Sequence, residues 1–81
     1  MITPARQSVI DAILEERQRQ LEMPGSEYDA RHSHNDWIAI AARYLTESAT
    51  RKRQTADQTQ YRTNLVKAAA VIVAALEYHK D

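Results

Sequence analysis

The sequence predicts an all-α chain, and three observations carry that expectation. One glycine and two prolines stand among 81 residues, with no phenylalanine, while alanine, glutamine, glutamate and arginine are plentiful; this balance favours helix over strand. Apolar residues recur at spacings of three and four in three separate stretches. The last of these, Leu65 to Leu76, reads LVKAAAVIVAAL and holds nine apolar residues in a row from Ala68. A helix that is apolar nearly all round must be covered on several sides. The expected architecture is a three-helix antiparallel bundle or hairpin, a single domain over residues 1–81, assembled as a helical oligomer.

The first helix is expected over 4–23. Thr3 can accept a hydrogen bond from a free amide of the first turn, and Pro4 loses nothing at the first helical position. Val9, Ile10, Ile13, Leu14 and Leu21 form one stripe, with Asp11, Glu15, Glu16, Arg17 and Arg19 on the remaining surface. Glu15 and Arg19 stand four apart in the favourable order for an ion pair. Pro24-Gly25-Ser26 ends the helix. The polar segment that follows, within 24–34, has no helical stripe and reads as a loop.

The second helix is expected over 34–49. Ser33 and Asp36 have the spacing of a reciprocal cap, each bonding the other's free amide. Trp37, Ile38, Ala41, Tyr44 and Leu45 make its apolar face, widened by Ile40. Arg51-Lys52-Arg53 follows in the connector. Thr55 with Gln58 forms a second capping pair, so the third helix is expected over 56–79. Tyr61, Leu65, Ala68, Ala69, Ile72 and Leu76 are assigned to its intrachain side. The other side, Val66, Ala70, Val71, Val73 and Ala74, is assigned to a subunit interface.

The totals restrict the chemistry. No cysteine is present, which excludes disulfides and thiolate metal sites. The start lacks the basic and apolar regions of a signal peptide, and no stretch approaches the roughly 18 apolar residues of a membrane span. A cytoplasmic location without membrane insertion is therefore expected. Net charge is zero, with an acidic first half and a basic second half. Arg51, Lys52, Arg53 and Arg62 are candidates for contact with phosphate or a partner, but no nucleic-acid-binding motif accompanies them. A nucleic-acid accessory factor using these residues is thus the weaker alternative, and nucleic acid is not the expected partner.

Two groups of side chains could ligate a metal. The loop and second-helix start hold Glu27, Asp29, His32, His34 and Asp36, residue types suited to zinc or a hard cation. The first helix carries Glu15 and Glu16, with Asp11 one turn away. Against these stands the simpler reading of solvated polar surface, with Asp36 occupied by its cap, and no cofactor is expected. No serine lies in a nucleophile motif, and a single glycine cannot build a phosphate-cradling loop.

Glu16-Arg17-Gln18-Arg19-Gln20, Asp29 with His32, Ala41-Ala42-Arg43-Tyr44 and Leu65-Val66-Lys67-Ala68-Ala69-Ala70 together resemble a group of short bacteriophage and prophage proteins. The resemblance covers most of the chain apart from its middle connector. That group is similar in turn to the MazG-like all-α nucleotide pyrophosphohydrolases, helical oligomers that use Mg²⁺ held by carboxylates. This chain departs from the pattern at Met23-Pro24-Gly25-Ser26, where a Gly-Trp is usual. It has only Arg51 to Gln60 where many carry a tryptophan-rich insert, and it lacks the paired ExxE and ExxD motifs. Metal-assisted phosphate chemistry needs several carboxylates at one spot. The expectation is therefore a phage-type accessory protein that acts by binding rather than catalysis, inhibiting a host or anti-phage defence protein, with a homodimer as the first assembly. The alternative is a Mg²⁺-dependent nucleoside triphosphate pyrophosphohydrolase with Glu15, Glu16, Asp29, His32 and Asp36 at a site between subunits. In either case the location would be the host cytoplasm.

Overall fold

The computed structural model describes residues 2–47 and 58–79. The described residues are helical throughout their ordered elements, without a strand: α1 (Pro4–Leu21), a 3₁₀ turn (Ser26–Arg31), α2 (His34–Glu47) and α3 (Gln58–Tyr78). The expected cap at Thr55 and the first two residues of the expected third helix lie outside the described residues, as does the end of the second helix after Glu47. Both α1 and α2 pack on α3, which makes α3 the central element.

Local chemistry sets the boundaries. Thr3 Oγ1 accepts from Arg6 N–H at 3.2 Å, and Pro4 occupies the first turn. α1 stops at Leu21, two residues before the expected end. Glu22 N–H already bonds the Arg19 carbonyl and Met23 N–H the Gln20 carbonyl, both at 3.2 Å, a tightening that closes a helix end. Pro24 blocks continuation, and Gly25 takes φ 98°, the left-handed conformation that side chains disfavour. The segment expected as a loop then winds into the 3₁₀ turn, because Ser26 Oγ donates to the Leu21 carbonyl at 2.7 Å and Glu27 accepts from Gly25 N–H at 3.1 Å. Short-range polar bonds of this kind leave no apolar periodicity to read.

Ser33 and Asp36 form the reciprocal cap of α2: Ser33 N–H donates to Asp36 Oδ2 at 2.9 Å, and Asp36 N–H donates to Ser33 Oγ at 3.1 Å. One turn on, Trp37 is buried over Val71 and Ala74 of α3, with Ala41 beside it and Ile40, Tyr44 and Ala75 at the margin. Its ring stacks on Tyr78 at 5.8 Å between centroids and meets the edge of His32 at 4.8 Å.

The central helix is turned relative to the expected orientation. Ala68, Ala70, Val71 and Ala74 are buried inside the chain, whereas Tyr61, Leu65, Ile72 and Leu76 are exposed. Three of the five residues assigned to a subunit interface, Ala70, Val71 and Ala74, are thus core, and Val66 and Val73 are half-buried. The reason is steric. Two helices approach α3, and alanine is the side chain that lets backbones come close, so the alanine-rich side turns inward and the longer side chains turn out. α1 is likewise not buried along its stripe. Ile13 is half-buried while Val9, Ile10, Leu14 and Leu21 are exposed, and the single buried residue of α1 is Arg17.

Candidate functional site

Two features stand out on this scaffold: an apolar groove between α2 and α3, and a partly polar cavity beneath the 3₁₀ turn. The groove has Trp37, Ala41 and Ala75 at its base and the exposed Ile38, Ala42, Leu45, Ile72 and Leu76 along its sides. Ile38 is 68% exposed and Leu76 69%. The wall residues of α3 share a helix face with Leu65 and Tyr61, at spacings of four, seven and four. Periodicity alone identified these residues as apolar, but it assigned them to the interior.

The cavity, about 200 Å³, lies where the end of α1, the 3₁₀ turn, α2 and α3 meet. Trp37, Ile40, Tyr44, Val71 and Ala74 supply apolar wall, and Arg17, Gln20, Ser26, Asp29 and His32 supply polar wall. Arg17 is only 6% exposed. Its Nε donates to Glu77 Oε1 at 2.8 Å, tying α1 to the end of α3, and its guanidinium carbon lies 6.0 Å from the Tyr78 ring centroid. Burial works against the Arg17 charge, but the hydrogen bonds and charges of Glu77 and Tyr78 together more than offset it, and its pKa is raised. Arg17 Nη1 and His32 Nδ1 are both enclosed without a hydrogen-bond partner. Sequence reading placed Arg17 on solvated surface. The signal was its position, four after Ile13 and four before Leu21, where the stripe calls for an apolar residue.

The other candidate residues are dispersed. Glu16 is held by Arg19 through bonds of 2.7 and 2.6 Å and by Gln20 at 2.9 Å. Arg19 therefore pairs with Glu16, not with Glu15 as its spacing suggested. Glu15 instead lines shallow depressions together with Arg62. Asp29 and His32 do come together, Oδ1 to Nδ1 at 3.9 Å, while Asp36 is engaged in its cap. Among the described residues no three of these acids and histidines gather into a metal-binding group. Arg51, Lys52 and Arg53 lie outside the described residues.

Two of these carboxylates make a pH prediction. The Arg19 hydrogen bond, opposed by partial burial and aided by Gln20, lowers the pKa of Glu16 below 4.5; the Ser33 backbone and side-chain bonds lower that of Asp36 below 3.8. A carboxylate depressed in the folded state adds stability above its unfolded pKa and loses it as pH falls through the folded value. Their joint contribution is expected to be constant above about pH 5 and to decline below it. Urea unfolding across this range checks the sign, and Glu16→Gln with Asp36→Asn should flatten the acid limb.

Among the described residues no helix is long and apolar enough to cross a membrane. Compared with known proteins, the chain matches no family model, no curated protein and no solved structure.

Proposed function

We propose that this chain is a small phage-type accessory protein that works by binding other protein chains: first a second copy of itself across the α2–α3 groove, and then a host or defence protein. The observation that carries the reading is the groove, an apolar surface rimmed by Ile38, Leu45, Ile72 and Leu76 on a chain whose own core is thin. Among the described residues, four of the six buried apolar ones are alanines. An apolar surface favours protein over nucleic acid as the partner, and the resemblance to short phage proteins supports the accessory role.

Light scattering coupled to size exclusion tests the assembly. The wild-type chain is expected to be a dimer, and Ile38→Asp with Leu76→Asp a monomer of unchanged helix content. Each side chain contributes roughly 1.5–3 kcal/mol when buried, so the pair should weaken association at least about a hundredfold. A double variant that remains dimeric overturns this placement of the interface. The hydrolase alternative has its own discriminator: turnover of nucleoside triphosphate with Mg²⁺ that disappears in Glu15→Ala or Glu16→Ala would replace the binding reading with a catalytic one.

A further inference from the structure

The cavity beneath the 3₁₀ turn is separate from the α2–α3 groove, apart from Trp37, which reaches both. We infer that it binds an uncharged aromatic molecule carrying one O–H or N–H donor, with the ring against the apolar wall and the donor on the Asp29 carboxylate. The inference is independent of the protein-binding reading.

The wall disfavours a ligand of either charge. Arg17 and Asp29 both line the cavity. An anion would meet the Asp29 carboxylate, and a cation the Arg17 guanidinium; like charges brought together where water is scarce repel strongly. Arg17 also holds its counter-ion already, with Glu77 Oε1 at 2.8 Å from Nε, so it calls for no second one. A cation drawn to Asp29 would share a space of about 200 Å³ with that guanidinium.

The same wall selects a donor. Gln20 Nε2 is spent on Glu16 Oε2 at 2.9 Å and the Lys67 carbonyl at 3.4 Å, and Ser26 Oγ on the Leu21 carbonyl at 2.7 Å. Arg17 Nη1 and His32 Nδ1 are enclosed and do not face the space. Asp29 differs from all of these. Among the described residues nothing donates a hydrogen bond to its carboxylate, and His32 Nδ1 stands 3.9 Å from Oδ1, beyond hydrogen-bond range. Its side chain is 16% exposed. A carboxylate only accepts, and it accepts several bonds, so what Asp29 lacks is an O–H or N–H. The rest of the wall, Met23, Trp37, Ile40, Tyr44, Val71 and Ala74, is apolar or aromatic and suits a hydrocarbon body. The volume exceeds the roughly 150 Å³ cavity that takes a benzene ring, so a single ring with one small substituent fits.

The chain has one tryptophan, and it lines this cavity, so its emission reports occupancy. The probes are phenol, anisole as the same ring without a donor, benzoate as the anion and benzylamine as the cation, titrated against the full chain near neutral pH. Phenol is expected to change Trp37 emission saturably. Anisole should bind about tenfold or more weakly, the loss of one hydrogen bond to a charged acceptor, and both charged probes should bind more weakly than phenol. Asp29→Ala should bring phenol down to the affinity of anisole and leave anisole unchanged. The substitution spares the fold, because the Asp29 carboxylate makes no hydrogen bond within the described chain. If Asp29→Ala does not fold, the four titrations of the unsubstituted chain decide. No saturable response to phenol, anisole bound as tightly as phenol, either charged probe bound as tightly as phenol, or a preference for phenol over anisole kept in Asp29→Ala would each overturn the assignment.

Discussion

Trp37→Ala is expected to destabilise the chain by roughly 3–5 kcal/mol, the range for removing a large aromatic from a core. A domain of this length has only about 4–12 kcal/mol in total, so the loss is a large fraction of the whole. The magnitude follows from what the ring touches. It covers Val71 and Ala74 of α3, stacks on Tyr78 and receives the edge of His32. Its neighbours from the body of α3, Val71 and Ala74, are too short to reach into the space left behind. Urea unfolding followed by far-ultraviolet circular dichroism reads the loss. Trp37→Phe, which keeps a ring against Tyr78, should recover more than half of it. A cost below about 1 kcal/mol for the alanine variant would mean that α2 is not anchored through this residue.

Ala70→Leu is the second large effect, and it acts in the opposite direction, by adding volume. Ala70 is 0% exposed, in the part of α3 that turns toward its own chain. Three added carbons have no free space to enter, and overpacking of this kind costs about 1–3 kcal/mol or more. The same change at Ala39, exposed on α2, should fall within about 0.5 kcal/mol of the wild type. The pair separates steric crowding from any general effect of leucine on helix stability. Equal effects at the two positions would contradict the inward orientation of Ala70, and with it the outward orientation of Leu65, Ile72 and Leu76.

Much of the fold was legible because it depends on neighbours in sequence. The Thr3-Pro4 start, the stop at Pro24-Gly25 and the reciprocal Ser33–Asp36 cap all use bonds spanning a few residues, and residue types at fixed spacing identify them. The 3₁₀ turn escaped notice because a six-residue polar helix stabilised by Ser26 and Glu27 has no hydrophobic period. Of the candidate site residues, Asp29 and His32 are adjacent in space as in sequence, but the cavity they share with Arg17, 12 residues before Asp29, is completed by Val71, 27 residues after Tyr44. The only local sign was a charge placed on an apolar stripe.

What the amino-acid sequence determined by itself was the helical class, the ends of the first helix to within two residues, the start of the second, and the need of Leu65 to Leu76 for cover. What only the tertiary structure decided was which side of that helix is covered. Nine apolar residues in succession carry no angular information: every face is hydrophobic, so periodicity cannot choose among them. The choice falls to packing, where α1 and α2 close on the alanine-rich side because small side chains permit the approach. Tyr61, Leu65, Ile72 and Leu76 remain outside, where they form the seam and groove wall from which the proposed assembly is argued.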